Sequence, residues 1–208
     1  MKRSRVHLKE GALPPRLFDP LRGAVVAIGE RRLRHTYQTT FWFDFGQEPS
    51  NRVEAAVLKL RVPGTFAGAE WWLSRMRTSN VQVDFHRDRD ERLALRTGRQ
   101  IHPAISSVLF LNECRGGLLA VTAQPPNPDN PAMAPDVLDF DLIEPRANRY
   151  VWFDGRLTHG VLDAGNQLPG RRLPREAKLR LTIAINFWKK RPTGIPRFSE
   201  RRLYRELV

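Results

Sequence analysis

Three side chains of this 208-residue sequence have the types and spacing of a metal-binding group. His86 and Asp88 stand two residues apart at the end of Val81-Gln-Val-Asp-Phe-His-Arg-Asp. There the alternation predicts a strand with Gln82, Asp84 and His86 opposite Val83 and Phe85. If extended backbone continues to Asp88, one imidazole and one carboxylate point the same way. A His-x-Asp pair alone is weakly specific, and its neighbours Arg87, Arg89, Asp90, Glu91 and Arg92 equally fit a solvated turn. His159 offers a third ligand. It follows a turn at Asp154-Gly155, just inside a returning strand, where a lone histidine is more often structural. Two imidazoles and a carboxylate hold one face of an ion and leave three positions open, a set that suits ferrous iron with a bidentate cosubstrate and dioxygen. A zinc centre uses the same ligand types, but the H-E-x-x-H helix usual for zinc hydrolases is missing and Arg180 would have no role.

Arg180 belongs to a second chemical feature. In Lys178-Leu-Arg-Leu-Thr-Ile-Ala-Ile-Asn-Phe-Trp, strict alternation puts Leu179, Leu181, Ile183 and Ile185 on one face and Arg180, Thr182, Ala184 and Asn186 on the other. A guanidinium inside a strand is costly unless a negative group meets it. That group is either a structural carboxylate or an anionic ligand. Arg75, Asn112 and Asn186 are further polar residues on strands expected to face inward, where they could reach a bound ligand, with Arg75 and Asn186 as candidate substrate contacts. Among the aromatic residues, Trp71, Trp72, Phe43 and Phe110 read as core. Trp152, on the strand leading to His159, is the candidate to line a substrate pocket. His102, before Pro103, reads as a loop residue.

These groups need a scaffold. Residues 50–60 predict a helix, with Val53, Ala56, Val57 and Leu60 on one face, a capping box from Asn51 and Glu54, and a stop at Pro63-Gly64. About nine strands are expected, over 37–45, 71–76, 81–86, 106–112, 118–123, 137–143, 149–153, 159–162 and 178–188. One or two helices followed by strands imply a mainly β (α+β) sandwich or jelly roll with helical support on one side. Residues 123–135 hold five prolines and two asparagines and read as a rim or lid loop.

Length fits a single domain over residues 1–208, divided into N-terminal support (1–70), a β core (71–188) and a basic C-terminal tail (189–208). Hydrophobic residues make up 41% and charged residues 27%, which excludes global disorder. The one cysteine, Cys114, excludes an internal disulfide framework and a Cys-rich zinc site. Apolar runs such as 24–28 and 108–111 are too short to span a bilayer, and no secretory signal is read, so a cytoplasmic location without a membrane partner is expected. No P-loop, dinucleotide fingerprint or G-x-S-x-G elbow is present. The formal charge is +13, with Lys189, Lys190, Arg191, Arg197, Arg201, Arg202 and Arg205 crowding a tail that could end in a short helix. An arginine-rich solvated surface explains this most simply; nucleic acid or an acidic carrier is the partner it would otherwise imply.

In order along the chain, His86-x-Asp88, His159-Gly-Val and Arg180-Leu-Thr182 resemble the Fe(II)- and 2-oxoglutarate-dependent dioxygenases, closest to their small prolyl-hydroxylase-like branch. Trp72-Leu-Ser-Arg, Ser107-Val-Leu-Phe-Leu-Asn112 before Gly116-Gly117, and Tyr150-Val-Trp-Phe-Asp-Gly-Arg-Leu-Thr-His159 are similar to the family's supporting text. The resemblance covers residues 71–188. It implies a double-stranded β-helix of the cupin-like jelly-roll kind, with His86, Asp88 and His159 binding iron in its mouth. It implies that Arg180 pairs with the distal carboxylate of 2-oxoglutarate and that Thr182 adds a hydrogen bond, since a planar guanidinium holds a carboxylate with two charge-assisted bonds. The expected cofactors are Fe(II), 2-oxoglutarate and O2, with ascorbate as a conceivable activator. The expected reaction is oxidation, most simply hydroxylation, of a small-molecule or amino-acid-derived substrate with release of succinate and CO2. The same chemistry on a nucleic acid or protein side chain, or a non-catalytic binding module, are the alternatives. Two departures stand out. The prolyl hydroxylases themselves generally use a lysine where this chain offers Arg180, with Lys178 and Arg175 nearby. The His159–Arg180 spacing is also lengthened by a Pro/Gly-rich basic insert, Leu168-Pro-Gly-Arg-Arg-Leu-Pro-Arg175.

Overall fold

The computed structural model describes residues 4–36, 39–77, 85–126, 139–162, 179–201 and 203–208. The expected strand core at 81–84, most of the 123–135 loop, and Lys178, Arg175 and the basic insert fall outside the described residues. Among the described residues the strands are β1 Val6–Lys9, β2 Phe41–Asp44, β3 Gly68–Arg77, β4 Ile105–Phe110, β5 Leu119–Thr122, β6 Asp141–Ile143, β7 Tyr150–Asp154, β8 Thr158–Val161 and β9 Leu179–Trp188. The α-helices among the described residues are α1 Pro15–Ile28, α2 Glu30–His35, α3 Arg52–Leu60 and α4 Glu91–Thr97. No helix of the described residues is long and apolar enough to cross a membrane.

The strands form two antiparallel sheets. The larger has the order β1-β7-β4-β9-β3-β2 and the smaller β6-β5-β8. Alternation along β9 decides the layering. Leu181, Ile183, Ile185 and Phe187 join Phe41, Trp71 and Leu73 in a core that also holds Phe18, Leu21 and Val25 of α1 and Val53, Ala56 and Val57 of α3. The helices therefore cover the outer face of the larger sheet, where they remove its apolar side chains from water. A second apolar cluster, Phe110, Leu119, Val121, Ile143, Val151 and Phe153, lies between the two sheets. The result is a jelly roll with helical support on one side, as the strand spacing led one to expect.

Helix α1 is absent from the sequence reading. Pro20 and Gly23 lower its propensity. Its buried residues Phe18, Leu21, Val25 and Ile28 nevertheless recur at helical spacing, and burial against the sheet outweighs poor propensity. The C-terminal tail is a packed element. Instead of the expected short helix it makes two 3-10 turns, Phe198–Glu200 and Arg205–Leu207. Tyr204 sits between them in the left-handed region, at φ 54°, which interrupts a helix. Tyr204 and Leu207 are buried, and Glu206 pairs with Arg32.

At α3 the expected capping box forms with one change of partner. Asn51 Oδ1 accepts from the N–H groups of Val53 and Glu54. The Glu54 carboxylate reaches back to the N–H and hydroxyl of Ser50, one residue earlier than the usual box. Asn51→Ala removes both bonds to the first turn and is expected to cost about 1 kcal/mol. Urea denaturation checks this: an unchanged midpoint would show that the cap contributes nothing.

Candidate metal and cosubstrate site

His86 lies just outside the smaller sheet, paired to its edge strand by an isolated antiparallel bridge with His159 of β8. The His86 N–H donates to the His159 carbonyl at 3.0 Å and the His159 N–H to the His86 carbonyl at 2.9 Å. Residues directly opposite in such a pair project to the same side of the sheet. Both imidazoles thus face the inter-sheet space, with ring centres 4.5 Å apart. Gly160 makes room for this arrangement. A Cβ there would stand 3.0 Å from the buried Phe85 ring, the residue before His86.

Asp88 follows two residues on and turns its carboxylate to the same space. Its Oδ1 lies 3.4 Å from His86 Nε2 and its Oδ2 3.4 Å from His159 Nε2. All three ligand atoms fall within 4.8 Å of one another. The neighbouring contacts lock the segment in place. Ser106 of β4 donates to Asp88 Oδ2 at 2.9 Å. The His102 ring nitrogen Nδ1 meets the Asp88 carbonyl at 2.6 Å, so this loop histidine clasps the backbone that carries the carboxylate. Asp90 caps α4 through the Leu93 N–H and accepts from the N–H and hydroxyl of Thr193. The solvated-turn reading of residues 87–92 therefore gives way to a pinned strand end followed by a capped helix, which Gly98 closes in a left-handed conformation.

The protonation states suit a cation. Burial pushes the His159 imidazolium down to about 4, against the attraction of Asp88. Burial pushes the Asp88 carboxyl up, but His159, His86 and the bond from Ser106 outweigh it and hold the group below the ordinary carboxylate range. Near neutral pH the site presents a neutral imidazole and a carboxylate, the forms in which both bind metals. His159 Nδ1 faces the Leu157 carbonyl at 3.2 Å, which places the proton there and leaves Nε2 as the donor atom. Two imidazole nitrogens and a carboxylate oxygen on one side of a cavity fit a ferrous ion.

The cavity measures about 960 Å³ and runs along the inner face of the larger sheet. Arg180, Thr182, Ala184 and Asn186 of β9 line it beside Glu70, Trp72, Ser74 and Met76 of β3. Arg180 is 3% exposed. Its Nε donates to the Gly117 carbonyl at 3.0 Å, Nη1 lies 3.4 Å from Thr182 Oγ1, and the guanidinium sits over the Phe110 ring at 5.0 Å. The structure thus brings His86, Asp88, His159, Arg180, Thr182 and Asn186 to one cavity.

Two expected substrate residues lie elsewhere. Arg75 occupies the odd-numbered face of β3 and pairs with Glu30 of α2 on the helical side. Trp152 stacks on His7 and Tyr150 on the outer face of β7; its neighbour Phe153 is the residue that meets the His159 ring, at 5.1 Å. Both corrections follow from strand parity, because one residue's shift reverses the face. Asn112 is structural, bonding both ways to the start of β9 through the Leu179 carbonyl and the Leu181 N–H. Sequence reasoning missed Ser106, and it missed Glu70, whose position two residues before Trp72 on the inward face was the available signal.

No family model matches the sequence, and no curated protein matches it. Solved structures do. A Pseudomonas putida prolyl-4-hydroxylase superimposes with a TM-score of 0.52 at 22% identity, over 90% of this chain and 89% of that one. A prolyl 4-hydroxylase from Phytophthora capsici gives 0.51 at 13% identity, over 94% of this chain and 61% of that one. The chain has the prolyl 4-hydroxylase fold. It spans about three-fifths of the Phytophthora protein and nearly all of the bacterial one.

Two outcomes test the site. Ser106→Ala is expected to lower divalent-metal affinity at least tenfold by freeing the Asp88 carboxylate, measured by metal titration with circular dichroism as the folding control. Unchanged affinity would remove Ser106 from the site. The metal-free protein should also lose stability as pH falls from 6.5 toward 4. In that window the unfolded chain protonates His159 and the folded chain does not, so unfolding takes up a proton. Thermal melts across this range should flatten in His159→Gln; an equally steep dependence in that variant would assign it to another group.

Proposed function

We propose that the chain is a 2-oxoglutarate-dependent, non-haem iron dioxygenase that hydroxylates a small-molecule or amino-acid-derived substrate. The observation that carries this reading is the shared cavity. A two-histidine, one-carboxylate group and a buried arginine–threonine pair line the same cavity. A zinc hydrolase would use the first feature and leave the second without a purpose.

His86 Nε2, His159 Nε2 and one Asp88 oxygen would hold the iron. When bound, iron with dioxygen and 2-oxoglutarate supplies the oxidising power that breaks a substrate C–H bond. The remaining work falls to the chain. Arg180 receives the distal carboxylate of 2-oxoglutarate, and its bond to the Gly117 carbonyl fixes the plane of the guanidinium fork. Thr182 Oγ1 adds a polar contact at the same end. Along β9, Thr182 and Asn186 are four residues apart, roughly 13 Å at strand rise. That leaves room for the cosubstrate and a small substrate in a line. Ser106 and His102 keep Asp88 aimed at the metal. Val108, Leu119 and Phe85 keep water from the inner wall. A cavity of about 960 Å³ is the size of a small-molecule site, which favours a metabolite over a macromolecule.

Anaerobic titration with Fe(II) and then 2-oxoglutarate tests the reading, followed by a succinate assay under air. A visible charge-transfer band that needs both additions is expected; failure to bind either one would end the proposal. Arg180→Leu is expected to weaken 2-oxoglutarate about a hundredfold and leave metal affinity unchanged, because the charge-assisted bonds to the cosubstrate are lost while none of the contacts of Arg180 to Gly117, Thr182 and Phe110 holds a metal ligand. Equal loss of both would mean that the substitution unfolds the cavity.

A further inference from the structure

One pair of polar groups in the cavity is left over once metal and cosubstrate have been assigned. Glu70 of β3 and Asn186 of β9 are direct cross-strand partners and both face inward. Asn186 is 2% exposed, and its Oδ1 has no hydrogen-bond partner among the described residues. A buried amide oxygen without a donor costs on the order of 1–3 kcal/mol. Such an expense in a cavity wall calls for a ligand donor. Glu70 is 8% exposed and has neutral partners, the Trp188 indole N–H at 3.2 Å and Thr40, so burial pushes its carboxyl up to about 7. The charges that act on it most are those of Asp88 and Asp90, and both are negative.

The position relates this pair to the metal pocket. Asn186 is also the cross-strand partner of Ser106, the residue that holds Asp88. Glu70, Asn186, Ser106 and Asp88 thus form a continuous row across the cavity wall. Arg180 and Thr182 lie toward the other end of β9. A carboxyl group and a bare amide carbonyl stand side by side there, and a bound cation would hold the carboxyl ionised. The group that satisfies both is a nitrogen with at least two N–H bonds and a positive charge.

We propose that Glu70 and Asn186 form a subsite that holds a protonated amine of the substrate beside the metal pocket. This rests on the dioxygenase reading and names the substrate class for that same site. An aliphatic ammonium gives one N–H to Glu70 and one to Asn186 Oδ1. Its carbon skeleton then lies along Trp72 and Ala184, toward the centre. Neutral alcohols satisfy the carbonyl but bring no charge to hold Glu70 ionised.

The test uses the intact protein carrying Fe(II) and 2-oxoglutarate under argon, so that binding of these two is established first and separately. Piperidine, pyrrolidine and n-butylamine are then titrated against cyclohexanol, cyclopentanol and n-butanol, following tryptophan emission, since Trp72 lines the cavity and Trp188 is bonded to Glu70. The amines should bind at least tenfold more tightly than their neutral counterparts. Glu70→Gln, which keeps size and hydrogen bonding but not charge, should abolish this preference, and Glu70→Asp should restore part of it. Asn186→Leu should weaken the amines without affecting 2-oxoglutarate. Equal binding of amines and alcohols, no amine binding by a protein that holds both iron and 2-oxoglutarate, or an undiminished preference in Glu70→Gln would each overturn the subsite. Loss of the charge-transfer band at the first stage would instead refute the dioxygenase reading.

Discussion

The reciprocal backbone bonds between His86 and His159 set the direction of two imidazoles before any side-chain contact forms. Backbone pairing of this kind is strong because both partners would otherwise be buried without acceptors or donors. It also converts sequence distance into proximity, since residues 73 positions apart become direct neighbours. Once that bridge exists, extended geometry carries Asp88 to the same side. The bonds from Ser106 and His102 then restrict the carboxylate to one orientation. The three ligand atoms converge because main-chain geometry makes them do so, and a metal ion would enter a site already shaped for it. The lone pairs and the buried carboxylate so gathered are a cost to the folded chain. The jelly roll offsets it with the apolar cores on either side of the larger sheet.

Much of the site was legible because strand periodicity is strict. Parity alone separated Arg180, Thr182 and Asn186 from Leu181, Ile183 and Ile185, and the same parity placed His86 with Asp88. The errors have the same origin. Arg75 and Trp152 were singled out by residue type, without checking which face each shares with its neighbours; Arg75 stands on the odd-numbered face of β3 and Trp152 on the even-numbered face of β7, and both point away from the cavity. Helix α1 escaped notice because Pro20 and Gly23 masked a spacing that burial later made decisive. Ser106 and His102 act through contacts 18 and 14 residues from Asp88, and nothing in their immediate sequence marks them. The Glu70–Asn186 pairing needs the register between β3 and β9, which a single sequence does not specify.

Charge is distributed unevenly between surface and cavity, and this bears on what the chain recognises. The formal excess of +13 lies in side chains such as Arg87, Arg89, Arg92 and Arg201, some of which ring the mouth. Arg87 is tied to Thr158, and Arg89 to Glu91 and Gln100. Exposed charges of this kind act over about 8 Å in physiological salt, so they draw anions toward the opening without selecting among them. Selection belongs to the desolvated groups. Arg180 lies toward one end of the inner wall; Glu70 and Asn186 lie toward the other, with Asp90 at the rim. In that low-dielectric space a carboxylate and a guanidinium impose opposite demands on whatever enters. A dianion settles toward Arg180, and a cation is excluded from there and accepted beside Glu70. On the proposed dioxygenase reading, two reactants of unlike charge would be sorted to their own ends, and the face between them is lined by Trp72 and Ala184. A basic exterior and an acidic inner recess are compatible in one protein because the first governs encounter and the second governs residence.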